Sequence, residues 1–223
     1  MSFLPNCHDQ ASVKNNTDAD IFFAVLDLVY RIKLKFLNHL SENNQFPIGI
    51  DANWVSPTQH HIPQVGLSDW LLNTGSLTER LQALTSSFEV EVIGQATMHG
   101  DESEQLALPQ YDEQAWQVRE VILYGEGKPW VFARSVLPEH LCKTTWATLG
   151  NQPLGQRIFN DDQFVRSEFS IAKLTTNPID PHAELKHALW GRRSKFKVHD
   201  WHLLVAEVFL PDCPCYVAES MQA

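Results

Sequence analysis

Three charged residues stand out because their surroundings are apolar. Residues 203–211, LLVAEVFLP, are apolar except at Glu207. A strand of this kind is buried on both faces, and a lone carboxylate in it is costly unless a cation pairs with it or it takes up a proton. Side chains alternate along a strand. In QVREVIL, Arg119 therefore shares a face with Val121 and Leu123, and in PWVFARSV Arg134 shares one with Trp130, Phe132 and Val136. The two segments flank GEGK and read as a hairpin. A turn centred on Glu126-Gly127 sets Leu123 opposite Trp130, Val121 opposite Phe132, and Arg119 opposite Arg134. Like charges across a strand pair repel. An anion between them relieves this, and guanidinium groups take carboxylates in a bidentate fashion. The alternative is that a nearby acid, Glu120 or Glu168, neutralises one arginine structurally. With Glu207 on a second hairpin, an arginine and a carboxylate on strands of one sheet form a polar pair inside an apolar pocket.

Other candidates are weaker. Leu77 and Leu154 each follow a break (Ser76, Pro153) and open a helical turn, where backbone N–H groups can meet an anion. Ser76 and Glu79 form a capping box that starts the first of these helices. Arg192 and Arg193 in WGRRS point to opposite faces of their strand, so one of them is solvated or paired to an acid. His60-His61 lies in a loop. No G-x-S-x-G, H-E-x-x-H or phosphate-loop pattern occurs.

These residues need a scaffold. GLSDWLLNTGSLTERLQALTSS reads as two short helical pieces broken at Gly75, the second starting at Leu77. SFEVEVIGQATM alternates as a half-buried strand, and 99–112 reads as an acidic loop. EHLCKTTWATLG is helical with Gly150 as its cap; NQPLGQRIF leads into another short helix. FVRSEFSIAKL is a strand, and 188–211 a second hairpin. The fold class is α+β: an antiparallel sheet of about six strands with helices on one face. Residues 20–40 carry apolar side chains at helical spacing from Phe22 to Leu40, but Asp27, Arg31, Lys33 and Lys35 prevent a membrane span. This amphipathic helix docks on the protein or, alternatively, on a membrane surface or partner. It places an N-terminal extension over 1–60 and the main domain over 61–223.

Composition narrows the function. The chain has 223 residues, 43% of them hydrophobic, which is enough for a proper core. The formal charge of −10 disfavours nucleic-acid binding and requires any anion site to be built from local cations and amides. Cys7, Cys142, Cys213 and Cys215 lack the spacing of a disulfide framework or a zinc site, so no metal is expected. The cysteines read as free thiols in a reducing cytoplasm, and MSFLPNCHDQ has no signal-peptide pattern.

WLLNTGSLTERL, VREVILYGEGKPWVFARSVLP, LGNQPLGQRIF, LWGRRSKF and LLVAEVFLP occur in order across about 67–216. Together they resemble the chorismate–pyruvate lyase family, which makes 4-hydroxybenzoate for ubiquinone. The resemblance implies helical flaps over a buried ligand pocket and conversion of chorismate to 4-hydroxybenzoate and pyruvate without a cofactor. It implies that Arg119, with the backbone amides of Leu77 and Leu154, holds the ring carboxylate. Arg134 is then a second arginine, for the enolpyruvyl carboxylate or to steady Arg119, and Glu207 is the essential glutamate at the hydroxyl and ether end. The expected partners are the substrate and product, with no nucleic acid and no membrane span but with peripheral membrane contact left open, in a cytoplasmic monomer or weak dimer. The first 60 residues have no counterpart in the compact relatives, and the loop at 172–187 is longer than theirs. A protein of the same fold that binds a small aromatic acid without turning it over, as a sensor, effector domain or product carrier, is the alternative.

Overall fold

The two-residue spacing of apolar side chains over 88–97, 116–125, 128–138 and 189–209 builds one antiparallel sheet. A computed structural model describes residues 46–109, 111–113, 115–144, 154–159 and 162–216. In chain order the elements are α1 (Val65–Leu72), α2 (Leu77–Gln82), β1 (Phe88–Thr97), α3 (Glu102–Ala107), β2 (Trp116–Gly125), β3 (Lys128–Pro138), α4 (Glu139–Lys143), α5 (Leu154–Phe159), β4 (Val165–Arg166), β5 (Ser170–Leu174), β6 (Leu189–Val198) and β7 (Trp201–Phe209). The seven strands lie in the order β1-β2-β3-β7-β6-β4, and β5 also pairs with β6. The single strand expected over FVRSEFSIAKL is thus interrupted: β4 and β5 share the outer edge of β6, with 167–169 between them. The fold is α+β with an open antiparallel sheet.

One face of the sheet carries α1, α2, α4 and α5. Leu67, Trp70, Leu71, Leu77 and Leu81 pack there with Leu123, Val131, Trp190 and Phe209. Leu141, Leu154 and Ile158 pack with Leu137, Phe196 and Leu203. Between these two apolar clusters the same face carries two rows of different character. One runs Val121, Ala133, Glu207, Arg192 and the other Arg119, Ser135, Val205, Ser194 across β2, β3, β7 and β6. The opposite face packs Val118, Val136 and Leu204 against Leu108, Tyr111 and Trp116. The acidic loop expected at 99–112 therefore contains α3, started by a capping box of Asp101 and Glu104.

The β2–β3 register corrects one expectation. The turn is Glu126-Gly127, with φ of 52° and 70°, and it pairs Gly125 with Lys128 and Tyr124 with Pro129. A bulge then inserts Trp130, so Leu123 pairs with Val131, Arg119 with Ser135, and Glu120 with Arg134. Pro129 cannot donate to the ladder. The Trp130 ring lies over Gly125, where a side chain would come within 2.1 Å of it. One extra residue moves every later side chain of β3 to the other face. Arg119 and Arg134 thus do not face one another.

Residues 46–59 join this unit. The amides of Ile48 and Gly49 each donate to Glu120 at 2.8 Å, and Val55 exchanges backbone hydrogen bonds with Ile171. The helix expected over 20–40 and the end of the helix expected to cap at Gly150 lie outside the described residues.

Candidate active site

Arg119 and Glu207 project from the same face. Two strand spacings and two residues along the strand separate them, which puts their Cα atoms roughly 12 Å apart. The residues between them are small: Ala133 and Ser135. Arg119 is 4% exposed, and its Nη1 donates to Gln95 Oε1 at 2.7 Å. A bulge between Val92 and Gly94 makes this contact, because it brings Gln95 rather than Gly94 opposite Arg119. Burial pushes the Arg119 guanidinium below its ordinary value. It remains a cation, so a carboxylate docking on it gains more than it would in water.

Glu207 is not a lone carboxylate. Arg192 faces it across β6–β7 and donates from Nε to Glu207 Oε2 at 2.6 Å. Arg192 is 2% exposed, and its Nη1 also donates to the carbonyls of Trp70 and Asn73 at 3.0 and 2.9 Å. Those carbonyls end α1, where the helix leaves acceptors without intrahelical partners. The ion pair thus also fastens the α1–α2 connection over the sheet. Sequence reasoning left open which of Arg192 and Arg193 was paired. The two-residue turn at His199-Asp200 fixes the register at Arg192↔Glu207, and that signal was present in VHDW.

Arg166 was also missed. It sits opposite Phe196 on β4, so its side chain belongs to the same face. Its guanidinium lies 4.9 Å from the Phe169 ring and 5.0 Å from the Phe196 ring, and its Nη1 donates to Thr74 O at 3.2 Å. Burial, then Arg192, lowers it to about 10, and Glu207 opposes that shift. Arg166, Arg192, Ser194, Gly155, Phe169 and Glu207 line a cavity of about 20 Å³. The Ser194 hydroxyl is buried there without a hydrogen-bond partner among the described residues. Arg119 lies outside that lining. A cleft of about 640 Å³ adjoins it, with Ile158, Arg166, Phe169 and Phe196 shared between the two.

Leu77 and Leu154 open α2 and α5, and both side chains are buried. Ser76 caps α2 by accepting from the Glu79 amide at 3.3 Å, and the first amides of the helix point out of its end. The start of α5 abuts that of α2: a side chain at Gly155 would lie 3.4 Å from Thr78 Oγ1. Two helix N-termini therefore meet above the sheet.

Arg134 is a correction. It lies on the opposite face, 3% exposed, and donates to Glu104 from Nε and Nη2 at 2.8 and 2.9 Å and to Glu120 from Nη1 at 2.6 Å. Burial disfavours its charge, but these two carboxylates outweigh that and raise it above its ordinary value. Arg134 is the cation of a buried structural cluster, which fits the sequence alternative that Glu120 neutralises one arginine. No group of three or more His, Cys, Asp or Glu among the described residues could hold a metal ion. No helix among them is long and apolar enough to cross a membrane.

Comparison with known proteins places this geometry in a family. The chorismate lyase family pattern matches residues 49–220. A probable chorismate pyruvate-lyase of Pseudoalteromonas atlantica (strain T6c / ATCC BAA-1087) is 41% identical over 185 residues, covering 78% of this chain and 94% of that protein. Another, of Shewanella amazonensis (strain ATCC BAA-1098 / SB2B), is 39% identical over 182 residues, covering 77% and 94%. Among solved structures, PhnF from Mycobacterium smegmatis aligns with a TM-score of 0.49 and 15% identity, over 63% of this chain and 66% of its own. By the extent of the family match and the identity to these relatives, the chain belongs to the chorismate lyase family.

Proposed function

We propose that the protein converts chorismate to 4-hydroxybenzoate and pyruvate, the step that supplies the ring of ubiquinone, and that Arg119 and Glu207 address opposite ends of the ring. The observation that carries this reading is their common placement on one covered face, with small residues between them. Arg119, turned by Gln95, takes the ring carboxylate, and the amides opening α2 and α5 complete its site. Glu207, held by Arg192 through Oε2, accepts from the 4-hydroxyl at the other end.

The reaction removes the C4 proton and breaks the bond from C3 to the ether oxygen. The leaving enolpyruvate takes up a proton to become pyruvate. Aromatisation drives the elimination, so the protein's share is to orient the substrate and stabilise charge in a dry site. A carboxylate fixed by a guanidinium can orient the hydroxyl or accept the C4 proton. A cavity of about 20 Å³ holds about one water, not a ring. The substrate therefore enters when the helices over the sheet lift, which joins the Glu207 cavity to Arg119.

Incubating the purified protein with chorismate and separating the products by chromatography tests the proposal. Equal amounts of 4-hydroxybenzoate and pyruvate are expected. Binding of 4-hydroxybenzoate with no turnover of chorismate would overturn the enzymatic reading in favour of a binding module.

A further inference from the structure

The proposed substrate is a dianion, and any assignment of its second carboxylate rests on that reading. Arg119 accounts for one carboxylate. The second arginine expected from the sequence, Arg134, lies on the far face with Glu104 and Glu120. On the site's own face Arg192 is committed to Glu207 and to the carbonyls of Trp70 and Asn73. We propose that Arg166 receives the second carboxylate, the one on the enolpyruvyl side chain, where the Glu207 cavity meets the outer cleft.

The substrate's own connectivity sets this placement. The 4-hydroxyl and the ether oxygen are on adjacent ring carbons. With the ring carboxylate on Arg119 and the hydroxyl on Glu207, the ether substituent emerges beside Glu207. Arg166 lines that cavity and also the adjoining cleft of about 640 Å³, which is large enough for a side chain to extend into. Phe169 and Phe196 flank the guanidinium and line both spaces. Aromatic faces beside a planar guanidinium restrict its orientation, and the bond from Nη1 to Thr74 O holds it further.

Charge favours the same partner. Arg166 and Arg192 are opposed by Glu207, so these three groups together carry a net positive charge in a largely buried setting. Asp162 and Glu168 also line the cleft, but both are exposed, and solvent screens them. The arriving carboxylate therefore meets a cation weakened by burial and by its neighbour Arg192, and it relieves that repulsion. The subsite also discriminates: it engages the substrate but has nothing to hold on 4-hydroxybenzoate, which carries a single carboxylate. The same residue thus favours substrate capture without retaining the aromatic product.

Arg166→Gln tests this. Chorismate KM, or the chorismate Kd by calorimetry if turnover is absent, is expected to rise by about 30-fold or more, as for loss of a buried charge partner. The Kd for 4-hydroxybenzoate is expected to stay the same, which also reports that the site is folded. Arg166→Lys keeps the charge without the planar fork and is expected to fall between the two. If Arg166→Gln does not fold, the same pair of affinities is read on Arg166→Lys. Equal losses for both ligands, or no loss for either, would overturn the Arg166 subsite while leaving the lyase reading standing. A wild-type protein that binds neither ligand would overturn both together.

Discussion

Arg192 Nε lies 2.6 Å from Glu207 Oε2, while the same guanidinium reaches the carbonyls of Trp70 and Asn73. One buried cation therefore ties the carboxylate on β7 to the end of α1 and, through the 73–76 connection, to the start of α2 at Leu77. The two ends of the proposed ligand site are held by one side chain. This answers why a carboxylate sits in an otherwise apolar strand: it is paired, and the pair organises the cover of the sheet.

Glu207→Gln keeps an acceptor for Arg192 but removes the negative charge. Turnover of chorismate is expected to fall by roughly 100-fold or more while the fold is retained. Initial rates by chromatography, with circular dichroism as the folding control, measure this. A variant with unimpaired turnover would remove Glu207 from the chemistry.

Arg192→Met strands Glu207 without its partner and releases the α1 carbonyls. The loss expected for breaking a buried pair is about 3–5 kcal/mol, read from urea unfolding. Arg192→Lys restores charge but not the geometry that reaches three acceptors, so 4-hydroxybenzoate affinity should recover only in part. Full recovery with Lys would show that charge alone suffices.

Arg134→Ala separates the two faces of the sheet. It leaves Glu104 and Glu120 buried together without their cation, and a cost of about 3–5 kcal/mol is expected. Because Arg134 points away from the site, the KM of the folded protein for chorismate should be unchanged. A large rise in KM would return Arg134 to the substrate.

Cys142 links stability to pH. Burial, then Glu139, raises its thiol from 9.0 to about 11, and Arg119 opposes this. Its folded value lies above its unfolded one, so between about pH 9 and 11 the unfolded chain binds fewer protons at this site. Its contribution to stability is therefore intact below pH 9 and declines as pH rises through that window. Iodoacetamide at pH 8, followed by peptide mapping, should leave Cys142 unmodified in the native protein and label it in urea. Rapid native labelling would contradict the burial.

Much of this was legible in the sequence, and the exceptions have local causes. Alternation placed Arg119 and Glu207 on apolar strands, and the positions opening α2 and α5 were marked by Ser76 and Pro153. Arg134 was misplaced because the turn at Glu126-Gly127 fixes pairing only as far as Pro129; the bulge at Trp130 depends on how that ring packs over Gly125. Arg192 was legible as a pairing candidate, since a two-residue turn at His199-Asp200 sets it opposite Glu207. Helix α3 carried its signal in Asp101 and Glu104, but its acidity made it read as loop. Arg166 had no local signal: β4 is two residues long, and only tertiary packing against Phe196 places its side chain.

A crystal structure with 4-hydroxybenzoate bound reads out whether one aromatic acid spans Arg119 and Glu207. The ligand carboxylate is expected on the Arg119 guanidinium and its phenol oxygen on the Glu207 carboxylate, at the roughly 2.5–2.9 Å of charge-assisted hydrogen bonds. A ligand lodged elsewhere, or touching only one of the two residues, would contradict it.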